Sequence, residues 1–256
     1  MKITLLGTGT SSGVPRIGND WGNCDPADPR NRRRRVSILV ESGDTRVLVD
    51  TGPDVREQLL DARVRAVDAV FYTHDHADHT HGIDDLRGLY NLSKTRVQCY
   101  ANEPTLALLH TRFGYIFKGE GGYPAIAQAN RVADTHRIGP ITVRSFRQLH
   151  GLIDSVGYRF EADGAVAVYS TDVNAIPREA EPMLANMDLW VLDCLRRKPH
   201  RSHPHLSLAL EWIARFRPRR TLFTHMDSSM DHVMLSRELP AGVEPGYDGQ
   251  MIELHA

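Results

Sequence analysis

The chain has little that would tie it to a membrane, a disulfide scaffold or a polyanion. Its three cysteines, Cys24, Cys99 and Cys194, are odd in number, far apart and without a CxxC pair. That argues against a disulfide framework and against a thiolate zinc knuckle. No apolar run approaches the roughly 20 residues of a bilayer span. The opening Met1-Lys2-Ile3-Thr4-Leu5-Leu6-Gly7 reads as a strand and turn, without the pattern of a signal peptide. A cytoplasmic location with no membrane partner is the expectation. With 31 Lys and Arg against 32 Asp and Glu the formal net charge is −1, so the molecule as a whole does not attract nucleic acid, and a small substrate is favoured over a nucleic-acid polymer. No repeat of solenoid period stands out, and Gly7-Thr8-Gly9 lacks both the third glycine of a dinucleotide fingerprint and the Gly-Lys-Ser/Thr of a phosphate loop. What remains is the composition of an ordinary globular protein, long enough for a sizeable core and expected to form one domain over 1–256.

What the chain does have is Thr73-His74-Asp75-His76-Ala77-Asp78-His79, three histidines and two carboxylates in seven residues. The stretch follows the apolar, β-prone Ala69-Val70-Phe71-Tyr72, so its ligands converge where a buried strand runs out into a loop. Neutral imidazole with carboxylate suits Zn²⁺ first, then Mn²⁺ or Fe, and ligands at this spacing can be divided between two neighbouring ions.

Around this loop the chain alternates strands and helices. Val36 to Val40 and Arg46 to Val49 read as a hairpin about Ser42-Gly43-Asp44, and Val156 to Glu161 and Ala165 to Ser170 as another about Ala162-Asp163-Gly164. Repeatedly a strand ends in His or Asp, and groups outside strand ends can meet at one sheet edge, as His74, His150, Asp172 and His225 would. Asp50 has two readings of equal weight: a hydrogen-bond acceptor behind a ligand histidine, or the N-cap of a helix from Pro53 to Leu60. The run Arg30 to Arg35 reads as a solvated surface, with a phosphate contact as the alternative. The glycine- and tyrosine-rich segment from Phe113 to Arg137 reads as a long loop, either a lid over the site or a surface insertion.

The order His74-x-His76-x-Asp78-His79, then His150, Asp172 and His225, resembles the binuclear metallo-β-lactamase superfamily over essentially the whole chain. The resemblance implies an α/β fold, a four-layer αβ/βα sandwich of two mixed sheets with helices outside. It implies two divalent ions, Zn²⁺ first and Mn²⁺ as the alternative: His74, His76 and His150 on one, Asp78, His79 and His225 on the other, and Asp172 bridging. Within the superfamily the sequence is most similar to small phosphodiesterases related to the cyclic phosphodiesterase of phosphonate degradation. Gly7 to Pro15, Leu48-Val49-Asp50-Thr51-Gly52-Pro53 and Gly246-Tyr247-Asp248-Gly249 carry that similarity. Those phosphodiesterases hold an additional structural zinc on a cysteine cluster in the early loop, where this chain has Cys24 alone.

The implied reaction is hydrolysis of a small nucleotide or sugar phosphodiester, cyclic ones included, by a hydroxide held between the ions, with Asp78 in the catalytic set. His203 would protonate the leaving oxygen. It is preferred to His205 because its distance to His225 matches the catalytic histidine of the family. A tRNA 3′-processing type of endonuclease, a thioesterase or lactamase, and a non-catalytic accessory protein of cofactor biosynthesis stand as alternatives. The sequence leaves a homodimer open.

Overall fold

In the computed structural model, which describes residues 1–255, the strands form two seven-stranded mixed sheets that follow chain order almost throughout. The first takes β1 (Lys2–Gly7), β2 (Ser37–Ser42), β3 (Thr45–Val49), β4 (Ala69–Phe71), β5 (Val97–Ala101) and β6 (Ala127–Arg131) in succession, with β14 (Met251–Glu253) paired to the free side of β1. The second takes β7 (Thr135–Ile138), β8 (Ile141–His150), β9 (Ile153–Ala162), β10 (Ala165–Ser170), β11 (Leu189–Asp193), β12 (Arg220–Thr224) and β13 (Val243–Pro245).

Each sheet changes from antiparallel to parallel partway across. Two-residue turns join β2 to β3, β7 to β8, β8 to β9 and β9 to β10, and the expected Asp163-Gly164 turn in the last of these has both residues at positive φ (54° and 73°), the conformation such hairpins require. From β3 to β6 and from β10 to β13 the pairs are parallel. Parallel neighbours need a crossover, and helices supply it: α1 (Val55–Asp61) after β3, α2 (Ala77–Thr80) and α3 (Leu86–Ser93) after β4, α4 (Glu103–Lys118) after β5, α5 (Leu206–Phe216) after β11 and α6 (His232–Glu238) after β12.

Side-chain alternation along the strands sorts the core into three layers. Leu5, Val40, Val49 and Phe71 of the first sheet meet Val143, Phe160, Tyr169 and Val191 of the second. Their neighbours Leu39, Leu48, Val70 and Cys99 point outward under Leu59, Leu86 and Leu109 of the helices, and Val168, Trp190 and Phe223 lie under Ala209, Trp212 and Leu235. This is the four-layer αβ/βα sandwich expected. Each fully buried aliphatic or aromatic side chain contributes about 1.5–3 kcal/mol of transfer free energy, so the sheets are a rigid frame for whatever projects beyond their edges.

The segment from Phe113 to Arg137 is not the long loop expected. Phe113 to Lys118 continues α4 past a kink at Phe113 (φ −133°, ψ 32°), and β6 and most of β7 fall within it. Glycines and tyrosines suggested irregular backbone, but pairing with β5 and packing of Ile116 and Ile126 into the core override that local preference. The arginine run is a solvated surface only in part: Arg30 and Arg32 are exposed. Arg33 is buried and donates to the Met230 carbonyl (2.6 Å), while Arg34 pairs with Asp61 and Arg35 with Asp54.

Candidate metal centre

Parallel strands β3 and β4 of the first sheet and β10, β11 and β12 of the second each hand on a polar residue toward one site: Asp50, His74, Asp172, Asp193 and His225. Three of these, Asp50 (φ 62°), Asp172 (φ 52°) and His225 (φ 57°), hold the left-handed backbone conformation. For a residue with a side chain this costs of order 1 kcal/mol, and such strain collects at functional sites. Here the surrounding bonds enforce it: the Asp50 N–H donates to the Phe71 carbonyl (2.9 Å) and the Asp172 N–H to Asp193 Oδ2 (2.9 Å).

The histidine-rich stretch is not loop alone. His76 is the N-cap of α2, so Asp78 and His79 lie on one turn of helix. That turn is pressed against Thr51-Gly52, with Thr51 N–H donating to the His79 carbonyl (2.7 Å) and Gly82 N–H to the Thr51 carbonyl (2.8 Å). A Cβ on Gly52 would sit 2.1 Å from the Asp78 carbonyl oxygen. The glycine is therefore what lets the two loops approach.

Hydrogen bonds then fix which ring nitrogen faces inward. The Ser202 carbonyl and the Asp193 carboxylate can only accept, so His150 Nδ1–H donates to Ser202 O (2.8 Å) and His203 Nδ1–H to Asp193 Oδ2 (2.8 Å). His79 Nδ1–H donates to Asp50 Oδ2 (2.7 Å). Thr73 Oγ1 donates to the same Asp50 oxygen (2.9 Å) and so accepts from His74 Nδ1 (3.0 Å). In all four the Nε2 lone pair is left to the site, the arrangement by which ligand histidines are oriented. Asp50 is thus a partner of the ligands and not a helix cap; the N-cap of α1 is Asp54.

The inward atoms form three overlapping groups in which all ligand atoms lie within 4.8 Å of one another: His74, His76, His150 and Asp172; Asp78, His79 and His225; and Asp172, His203 and His225. Asp172 reaches both halves, with Oδ2 3.1 Å from His79 Nε2 and Oδ1 3.5 Å from both His150 Nε2 and His225 Nε2. Two ligand atoms bound about 2.1 Å from a tetrahedral ion are about 3.4 Å apart, which is the separation seen. His74, His79 and His225 each bury Nε2 without a hydrogen-bond partner. Partnerless buried nitrogens beside carboxylates are costly without a cation between them, so the residues fit divalent metal ions.

The electrostatics agree. Burial and the neighbouring imidazoles push His74 well below its usual range, and burial lowers His150. Burial also works against charge on His225 and His79, but Asp172 and the adjoining carboxylates overcome it, holding His225 up at about 9 and His79 well above the histidine range. Asp172 and Asp78, despite burial, are held well below the usual carboxylate range by these imidazoles. Two carboxylates in a dry site demand positive charge, which divalent ions held there would supply.

Of the sequence candidates, His74, His76, Asp78, His79, His150, Asp172, His225 and His203 are brought together, and His205 is not. His205 is the N-cap of α5, half-buried and outside the cluster. Sequence reasoning did not single out Asp193, although it ends an apolar strand as Asp172 nearly does, nor Thr73, which links Asp50 to His74.

Residues 45–226 match the family model described as the β-lactamase superfamily domain. Among solved structures, a diphosphatase of the PhnP family superposes with a TM-score of 0.90 at 37% identity, covering 98% of this chain and 96% of that one. Zn²⁺-bound PqqB of Methylobacterium extorquens gives 0.83 at 18% identity, covering 99% and 100%. Among curated relatives, an octanoyltransferase of Porphyromonas gingivalis is 32% identical over 97% of this chain and 51% of its own length. A ribonuclease Z of Bradyrhizobium sp. is 28% identical over 52% of this chain and 46% of its own. The chain spans about half the length of the curated relatives it matches.

Proposed function

The chain belongs to the β-lactamase superfamily and carries its metallo-β-lactamase fold, and from that premise we propose that it is a binuclear metal-dependent phosphodiesterase acting on a small nucleotide or sugar phosphodiester. His74, His76 and His150 would hold one divalent ion, Asp78, His79 and His225 the other, and Asp172 both. When bound, such ions supply Lewis-acid polarisation of a phosphoryl oxygen and a nucleophile at neutral pH.

The observation that carries the reading is the His203–Asp193 pair. The two ligand sets named above are complete without His203, which leaves the pair free for another task. His203 Nδ1–H is spent on Asp193, and its Nε2 faces the shared carboxylate at 3.9 Å from Asp172 Oδ1. A histidine so held presents one nitrogen to the reacting centre and has a buried negative charge behind it to stabilise the imidazolium, which suits it to protonate a leaving oxygen. The 37%-identical diphosphatase supports chemistry at phosphorus over a thioester or lactam.

The test is a hydrolysis screen of purified, metal-loaded protein against bis(p-nitrophenyl) phosphate, a 2′,3′-cyclic nucleotide, a thioester and a β-lactam. Turnover confined to the first two is expected; turnover of the thioester or lactam alone would replace the reading. The ribonuclease Z relatives favour one second reading, an RNA endonuclease. Cleavage of a tRNA precursor that falls steeply with salt would support it.

A further inference from the structure

A cleft of about 890 Å³ opens beside the candidate metal centre, between the start of α4, the link from β6 to β7, the strands β8 and β9, and the segment around Glu179. Asp75, which stands between His74 and His76, borders it, and Ile153 belongs both to this cleft and to the smaller one walled by His76 and His150. The volume is that of a small-molecule site. A phosphodiester held at the ions therefore has the cleft within reach of one of its two ester arms.

The wall is apolar. Leu108, Val132, Phe146, Ile153 and Met183 line it, and Leu108 and Ile153 are each 37% exposed, aliphatic surface that the fold leaves uncovered here. The rim is negative, with Asp75, Asp134, Asp154 and Glu179. Two arginines answer these four carboxylates, and both are spent. Arg112 forks onto Asp75, through its carbonyl (2.5 Å) and its carboxylate (2.9 Å), while Arg147 is bonded to Asp154 (2.7 and 3.0 Å) and lies 3.7 Å from Glu179. The Asp134 carbonyl accepts from Ser145 N–H (3.1 Å), but its carboxylate has no partner among the described residues. The amino end of α4, which would attract an anion, is capped by Asn102, whose side chain accepts from Thr105 N–H (3.0 Å).

We propose that this cleft holds one ester arm of the substrate, apolar in its body and ended by an ammonium group, the other arm being the nucleotide or sugar. The inference rests on the phosphodiesterase reading and adds a substrate class to it. The hydrocarbon of the arm covers Leu108, Ile153 and Met183, removing their exposed surface from water. Its ammonium settles at the rim, where Asp134 and Glu179 supply the opposite charge, and Phe146 adds to the same wall an aromatic ring, a favourable neighbour for a cation. An anionic arm meets the same carboxylates and is repelled.

The experiment compares kcat/KM for three p-nitrophenyl phosphodiesters that differ in the second arm alone: the choline ester, its 3,3-dimethylbutyl isostere, in which carbon replaces the quaternary nitrogen, and a 3-carboxypropyl ester. In each, water attacks phosphorus, the P–O bond to p-nitrophenol breaks and the second arm stays on phosphorus, so the comparison reads recognition of that arm. Wild type, Asp134→Asn and the double variant Asp134→Asn with Glu179→Gln are assayed at low and at high salt. In wild type the choline ester should exceed its isostere by about 3- to 30-fold, the range for one cation beside carboxylates and an aromatic ring in an open cleft, and the carboxypropyl ester should be the poorest. The ratio should shrink at high salt, be intermediate in Asp134→Asn and fall close to one in the double variant, mainly through KM. Metal content and melting temperature of each protein separate these changes from loss of ions or of fold. A wild type that does not prefer the choline ester, or a preference that survives in the folded, metal-replete double variant, overturns the inference and leaves the phosphodiesterase reading standing, as does turnover of bis(p-nitrophenyl) phosphate alone. Failure to hydrolyse any of the four overturns both.

Discussion

Replacing Asp193 with asparagine separates charge from shape at the centre of the site. A single oxygen, Oδ2, accepts both the Asp172 N–H (2.9 Å) and His203 Nδ1–H (2.8 Å), while Oδ1 is buried without a partner. An asparagine can set its carbonyl oxygen where Oδ2 is and its amide where Oδ1 is. Both bonds are kept, and one buried partnerless atom is exchanged for another. What disappears is the negative charge behind the imidazole. Hydrogen bonds to charged groups contribute about 1.5–3 kcal/mol and those between neutral groups about 0.5–1.5 kcal/mol. The difference, about 1–2 kcal/mol, corresponds to about a 5- to 30-fold fall in kcat when the charged partner is present in the transition state. Steady-state kinetics on bis(p-nitrophenyl) phosphate should show that fall with KM and metal content unchanged. In a His203→Ala background the Asp193→Asn change should have little further effect, because Asp193 acts through His203. Wild-type kcat in Asp193→Asn, or equal additive losses in the two backgrounds, would refute the reasoning.

Asp172→Ala should release at least one ion, since its carboxylate offsets the repulsion between two cations; elemental analysis of the purified variant checks this. Asp50→Ala removes the acceptor that orients His79 and Thr73, and metal affinity should fall by about 10- to 100-fold in a competition titration with a chelating dye. Gly52→Ala places a methyl 2.1 Å from the Asp78 carbonyl, so α2 must move; thermal unfolding should show a loss of about 1–3 kcal/mol, accompanied by weaker metal binding. Arg33→Ala strips donors from the Met230 and Asp227 carbonyls and from Asn31 at a buried position, and denaturant titration should show a loss of about 2–5 kcal/mol.

Much of the fold was legible because its signals are local. Ala165–Ser170 has the expected bounds, being a strongly patterned run between clear breaks. The metal-ligand candidates were legible because three histidines and two aspartates crowd into Thr73–His79 behind an apolar run. Phe113 to Arg137 was misread because strand pairing with β5 outweighs a glycine-rich composition, and pairing is a long-range contact that no window of sequence contains. The fate of Arg33 was hidden for the same reason: the Asp227 and Met230 carbonyls it donates to lie about two hundred residues away. Between His203 and His205 the spacing to His225 favoured His203. The structure places His203 in the cluster because β11 supplies Asp193 to hold it, whereas His205 begins a helix.

The most direct test of the account is the effect of His203→Ala on turnover of metal-loaded protein, measured with the metal content of the same preparation. If His203 donates the proton to the leaving oxygen, the variant should keep the wild-type complement of ions while kcat on a phosphodiester falls by about 10²–10⁴-fold, the usual range for a lost general acid. Undiminished turnover with a full metal complement would contradict the account.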